Sequence, residues 1–132
     1  MTDSVNELPP ELRAFLHSCI ESIEQVEVLI LLRGSERSRT VGDIATALRL
    51  TPAGPRRDLE TLTARGLLDV HVGPELSYRY RPKSPDLGRY CDLLAECYVT
   101  ARQDVFGYIA AKSRLAMKRF ADAFNLRDRD PR

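Results

Sequence analysis

Five basic residues occur in two short groups whose chemistry suits an anionic partner. Arg56 and Arg57 are adjacent, whereas Arg79 and Arg81 alternate with tyrosines and are followed by Lys83. The arginine guanidinium is a planar fork of donors that can bind a phosphate, or O6 and N7 of one guanine together. These residue types point to recognition of a nucleic acid or another anion, and the elements that carry them decide how they are presented.

The first basic group lies in residues 40–68, a stretch that predicts two short helices joined by a tight turn. Thr40 can cap the first helix, with Asp43 as its capping-box partner. Gly66 suits the end of the second helix because glycine readily adopts positive φ. The apolar residues expected on the buried faces are Val41, Ile44, Ala45, Leu48, Leu59 and Leu62.

Two starting points for the second helix remain open. Thr51 can cap it, with Pro52 at the first helical position, where the missing N–H of proline costs nothing. Pro55 allows a start about one turn later, because proline inside a helix removes a hydrogen bond and crowds the preceding turn. The late start would leave Thr51 and Ala53 outside the helix and would put their contact with bases in doubt.

The second basic group lies in residues 68–82, whose alternation of apolar and polar residues predicts a β-hairpin. Gly73 and its neighbours supply the turn. Alternation places Arg79 and Arg81 on the outward face. The residues expected on the inward face are Leu68, Val70, Val72, Tyr78 and Tyr80. Two helices followed by a hairpin form the pattern of a winged helix.

The run DIATALRLTPAGPRRDLETLTARGLL resembles the winged helix-turn-helix of bacterial transcription regulators of the MarR, ArsR and DeoR types. Arg56-Arg57-Asp58-Leu59 is most similar to the DeoR recognition helix, and the resemblance covers about residues 22–82. It implies that the helix over residues 51–65 enters the major groove and that the wing contacts phosphates beside it. The DNA-binding residues implied are Thr51, Ala53, Gly54, Arg56, Arg57, Glu60, Arg79, Arg81 and Lys83.

Amphipathic helices are predicted on both sides of this segment. We divide the chain into an N-terminal arm over residues 1–21, a winged domain over 22–83 and a C-terminal helical dimerisation region over 84–132. Ser84 can cap a long helix that reaches about Ala110, and a last helix follows. The heptad stripe of the long helix has no expected partner within one chain, which predicts a homodimer seam. The seam residues are Leu87, Cys91, Leu94, Tyr98, Ala101, Val105 and Tyr108.

The composition is that of a soluble globular chain, with 43% hydrophobic and 30% charged residues among 132. No apolar run is long enough for a membrane span and no signal peptide is recognised, so a cytoplasmic location is expected. The net charge is only +1, but residues 49–89 carry eight Lys or Arg against five Asp or Glu. The predicted fold class is mainly α, an α+β winged helix with flanking helices.

No grouping of residues in the sequence suits catalysis or metal binding. The two histidines and three cysteines lack the spacing of metal ligands, and no Ser/His/Asp set or glycine-rich phosphate loop occurs. We therefore expect no enzyme activity, no cofactor and no metal. Asp58 and Glu60 are interpreted as solvated or paired with nearby arginines. The cysteines are interpreted as reduced structural thiols, with a redox-sensing thiol at the dimer seam as the alternative.

Two functions from different classes follow from this pattern. The first is a dimeric transcription regulator that binds double-stranded DNA. The alternative is a winged helix that docks another protein and has lost strong DNA binding, which the low net charge and the Gly54-Pro55 interruption favour. A continuous positive strip formed by the four arginines would favour DNA.

Overall fold

The protein is mainly helical and carries one small antiparallel sheet. The computed structural model describes residues 8–128, with side chains as far as residue 123. In chain order the elements are α1 (Pro10–Cys19), α2 (Ile23–Arg33), β1 (Arg39–Thr40), α3 (Val41–Leu48), α4 (Ala53–Ala64), β2 (Leu68–His71), β3 (Ser77–Tyr80), α5 (Pro85–Thr100) and α6 (Arg102–Asp128). Within residues 8–128, no helix has the length and apolar character needed to cross a membrane.

Short polar side chains fix the starts of three helices, two of them at the predicted caps Thr40 and Ser84. The Thr40 hydroxyl accepts a hydrogen bond from the Asp43 N–H, and the Asp43 carboxylate accepts one from the Thr40 N–H, each at 3.1 Å. Ser22 and Ser84 accept bonds from the third backbone N–H of α2 and α5. Because these caps satisfy N–H groups that lack a partner inside the helix, the boundaries of α2, α3 and α5 follow from local sequence.

The sheet has the strand order β1-β3-β2, and β2 and β3 form the predicted hairpin. Leu68 pairs with Tyr80, and His71 pairs with Ser77. Leu68 and Tyr78 are buried as expected. Val70 lies opposite Tyr78 on the predicted face but is 38% exposed, and Val72 lies beyond β2 and is 75% exposed, so the predicted burial of the two valines is wrong. The helices beneath the sheet, α2 and α4, cover only the base of the hairpin.

The N-terminal segment is part of the core. Leu12 and Leu16 of α1 are fully buried, and α1 packs against both α5 and α6. Lys112 of α6 secures the end of α1, because its Nζ donates to the carbonyl oxygens of Leu16, His17 and Ile20 at 3.0, 2.6 and 2.7 Å. A cation placed there also opposes the negative end of the helix dipole.

The predicted continuous helix from Ser84 to about Ala110 is wrong. The chain breaks at Ala101, whose φ and ψ are −140° and 47°, and α6 begins at the next residue. The Ala101 carbonyl accepts the first hydrogen bonds of α6, from the N–H groups of Asp104 and Val105. The break turns the chain back on itself, so that Val105 and Ile109 are buried in the same core as α1.

Candidate nucleic-acid interface

The turn before α4 is short and is held by backbone hydrogen bonds. Arg49 ends α3 with a positive φ of 59°, and the Leu50 N–H donates to the Ala45 carbonyl at 2.9 Å. Pro52 is the N-cap of α4 and makes no side-chain capping bond. The predicted cap at Thr51 is therefore wrong, and the helix predicted over residues 51–65 spans Ala53–Ala64.

Pro55 does not delay the start of α4. It occupies the third helical position, where the backbone N–H would have no acceptor within the helix. The first hydrogen bond of the helix runs from the Arg56 N–H to the Pro52 carbonyl at 2.9 Å. Of the two starting points left open by the sequence, the late one is wrong, and the first turn of α4 is intact.

Gly54 serves the inner side of α4, where α2 approaches it closely. A Cβ on Gly54 would lie 2.5 Å from Oε2 of Glu24, a residue of α2. Any larger side chain would displace the Glu24 carboxylate. Gly54 therefore contributes close packing between two helices, and a role in reading bases has no support from its position.

Asp58 is also on the inner side of α4, so its predicted position, solvated or paired with nearby arginines, is wrong. It is only 6% exposed, and its Oδ2 has no hydrogen-bond partner among the described residues. Burial, and then the nearby Glu24 carboxylate, raise the pKa of Asp58 to about 7. The available signal was spacing, because Pro55, Asp58 and Leu62 recur at three and four residues and share one helix face.

The outer side of α4 presents the residues that the sequence singled out for DNA contact. Thr51, Ala53, Arg56, Arg57 and Glu60 are exposed. Arg56 and Glu60 line a groove of about 420 Å³ between α4, the start of α3 and the hairpin. The hairpin side of this groove carries Glu75, Leu76 and Tyr78. The groove thus combines one guanidinium, two carboxylates and exposed apolar surface.

The basic residues of the hairpin lie on a different surface. Arg79 and Arg81 are exposed and line a depression together with Ser38, Asp69, Val70 and His71. Arg79 lies opposite Asp69 in the register of β2 and β3. Arg81 forms an ion pair with Asp69, with 3.8 Å between Nη1 and Oδ2. Lys83 is exposed just beyond β3. The expected arginine strip is therefore divided between the α4 groove and the outer hairpin face, and Asp69 neutralises part of the latter.

The residues predicted for a dimer seam are largely used within the chain. Cys91, Leu94, Tyr98 and Val105 are buried, and Leu87, Ala101 and Tyr108 are half-buried against the core. The stripe is covered by α1, which packs on α5 and α6. The reason given for a second copy at this position, the absence of a partner within the chain, is therefore wrong. The homodimer itself stays a prediction.

The cysteines occupy different environments. Cys91 is buried, whereas Cys19 and Cys97 are intermediate in exposure. Burial raises the pKa of the Cys91 thiol to about 11 and also raises the pKa of Cys97. Since the thiolate is the reactive form, these two thiols are poorly suited to redox chemistry at neutral pH.

The chain matches no family model, no curated protein and no solved structure. The geometry and charge of the surfaces described above are therefore the available indications of its function.

Proposed function

We propose that the chain is a dimeric transcription regulator that binds double-stranded DNA through a winged helix-turn-helix made of α3, α4 and the β2–β3 hairpin. One observation carries the proposal: Arg56 and Arg57 are exposed near the start of α4, whereas Leu59 and Leu62 on its other side are fully buried. A helix anchored in this way offers its first turns to the major groove, which is wide enough to admit it.

The two basic groups have different roles in this proposal. Arg56 and Arg57 lie where a recognition helix reaches base edges, and an arginine can bond guanine O6 and N7 together. Arg79 and Arg81 belong to the hairpin and contact phosphates, which supply affinity without sequence preference. Because the two groups lie on different surfaces, the proposal assigns them to different parts of the duplex, the α4 arginines to the groove and the hairpin arginines to the neighbouring backbone.

The test is fluorescence anisotropy on specific and scrambled duplexes across a salt series, with half-sites about 10 base pairs apart as the first geometry. Arg56→Ala or Arg57→Ala is expected to lose about 1–3 kcal/mol on a specific site and to relax base preference there. Arg79→Ala or Arg81→Ala should weaken binding to every duplex and reduce the salt slope by about one.

The control is Arg89→Ala, which removes the same charge from an exposed arginine of α5 that pairs with Asp86. It should leave affinity and salt slope close to wild type. If all five variants lose affinity equally, the binding is a net-charge effect and α4 is not a reading helix. If wild type binds no duplex at low salt, the DNA proposal is wrong.

For the dimer, we propose that the second copy packs on α6. Phe106 and Met117 lie on one side of this helix, about 20° apart around its axis. Met117 is 72% exposed. Residues 113–123 of α6 are exposed throughout, although the start of the same helix is in the core. Pairing two such helices would cover apolar surface and bring two α4 helices into one particle.

A second function, docking of a partner protein, is favoured by the apolar surface around the hairpin tip. Val72 is 75% exposed, and Leu76 is exposed beside Glu75 in the α4 groove. Such a surface suits a protein partner better than phosphates, since it is apolar and carries acidic groups. Val72→Ser should weaken the docking of a protein partner and leave DNA affinity unchanged, whereas Arg56→Ala should weaken DNA binding.

A further inference from the structure

The contact between α2 and α4 contains two acidic side chains. Asp58 points from α4 into this contact, is almost fully buried, and has no hydrogen-bond partner for Oδ2 among the described residues. Glu24 approaches from α2 and favours the protonated form of Asp58. Asp58 is buried and Glu24 is half-buried, and two neighbouring carboxylates resist being ionised together because the negative charge of each makes ionisation of the other less favourable.

The Glu24 carboxylate also lies against the first turn of α4. Its Oε2 is close enough to Gly54 that a Cβ there would be only 2.5 Å away. The N-cap of α4, Pro52, has no side-chain acceptor, and the first N–H groups of a helix favour a negative charge beside them. Glu24 is thus placed where its negative charge supports α4, and Asp58 is the member of the pair that takes the proton.

The remaining neighbours of Asp58 act in the opposite direction but less strongly. Gln25 of α2 and Arg57 of α4 favour the ionised form, whereas burial and Glu24 outweigh them. Helix α3 and strand β2 also pack against α4. The charged or titratable residues of these two elements are Asp43 in α3 and Asp69 and His71 in β2, and all three are exposed. A protonated Asp58 becomes a donor and can bond the adjacent Glu24 carboxylate.

We propose that Glu24 and Asp58 are positioning residues that share one proton and hold α4 against α2, so that DNA affinity falls as this proton is lost. The inference rests on the proposed DNA-binding function. Loss of the proton leaves two carboxylates in one buried contact, and their repulsion separates the start of α4 from α2. Arg56 and Arg57 extend from that part of α4, so their position in the groove changes with it.

The direction of the effect also follows from linkage. The phosphates of bound DNA are negative and favour the protonated form of Asp58, so binding takes up a proton and affinity falls as pH rises. For folding, burial and Glu24 raise the pKa of Asp58 from its ordinary value of 3.8 to about 7. The associated stabilisation is complete below about pH 4 and is lost as the pH rises through 7.

The decisive variant is Asp58→Asn, which has nearly the same shape, stays neutral at every pH and can donate to Glu24. Anisotropy on one duplex at constant ionic strength between pH 5.5 and 8.5 should show wild-type affinity falling, by at most about tenfold per pH unit for one proton. Asp58→Asn should keep its affinity across this range. Its thermal unfolding temperature should exceed that of wild type at pH 8 and should approach it at pH 5.

Two controls remove other sources of pH dependence. Histidine is the side chain type whose charge ordinarily changes between about pH 5 and 8, so all variants are made in a His71→Gln background, which removes the exposed histidine of the hairpin. Glu96→Gln removes an exposed carboxylate from α5 and should keep the wild-type pH profile. Glu24→Gln should move the Asp58 midpoint towards its ordinary range and flatten the binding profile.

A readout without DNA separates this inference from the proposed function. Carbon-detected NMR of the Asp58 carboxyl in the free protein should give a midpoint near 7, and an ordinary midpoint near 4 would overturn the shared proton. If the protein binds DNA with the same pH profile in wild type and Asp58→Asn, the positioning role alone is overturned. If Asp58 titrates near 7 but no duplex binds at any pH, the DNA function and this coupling both fail.

Discussion

The α3–α4 pair and the α5–α6 pair are both amphipathic, but they use their apolar faces differently. In α4, Leu59 and Leu62 are fully buried and the opposite side carries exposed charges. In the second pair, α5 is covered by α1, whereas α6 continues beyond Lys112 with Met117 exposed. An amphipathic stripe therefore indicates a face that needs cover, and it leaves open which element or chain supplies that cover.

The largest expected effect concerns α5. Leu94 has no exposed surface within a single chain, so Leu94→Ala should lower the free energy of unfolding by about 2–5 kcal/mol. Chemical denaturation followed by circular dichroism at several protein concentrations measures this loss. The decrease in unfolding free energy should be the same at each protein concentration, because the cavity left by Leu94→Ala lies inside one chain. A loss that grows on dilution would instead place Leu94 at a contact between two copies.

The next effect concerns α6, whose residues 113–123 are exposed in a single chain. Met117→Glu should leave the unfolding of dilute protein near wild type and weaken self-association at least about tenfold, because an ionised carboxylate would enter an apolar contact. Leu115→Glu is the matched control, since Leu115 is 49% exposed and lies about 200° away around the helix. Sedimentation velocity over a concentration series measures both. Equal behaviour of the two variants would contradict a dimer on this face of α6.

Local signals carried most of what could be predicted from the sequence. Thr40 with Asp43, Ser22 and Ser84 cap helices within three residues of themselves, so the partners are adjacent in sequence. Gly66 has the positive φ, 84°, expected at the end of the second helix. Alternation predicts the hairpin itself in the same way, and β2 and β3 form it. In each case the physics that sets the structure acts between neighbours in the chain.

The features that the sequence could not supply depend on contacts between distant segments. The stripe of α5 is satisfied by α1, roughly 80 residues away along the chain, and periodicity cannot identify such a partner. Spacing along α4 can place Asp58 on the face of Leu62, but it cannot identify Glu24 of α2 as the neighbouring carboxylate. The sequence also could not show that Arg56 and Arg79 lie on different surfaces, because the packing of the hairpin against α4 decides this.

The smallest expected effect concerns the attachment of α6 to α1, where Lys112 donates to three carbonyl oxygens at the end of α1. Lys112→Met should lower the free energy of unfolding by about 1 kcal/mol. The effect is small because burial also lowers the pKa of Lys112, so desolvation offsets part of the gain from these bonds. Lys118→Met is the matched control, since Lys118 is exposed on the same helix beyond the core. Hydrogen exchange of the last turn of α1 should increase in the first variant and not in the second, and equal exchange would show that Lys112 does not hold α6 in place.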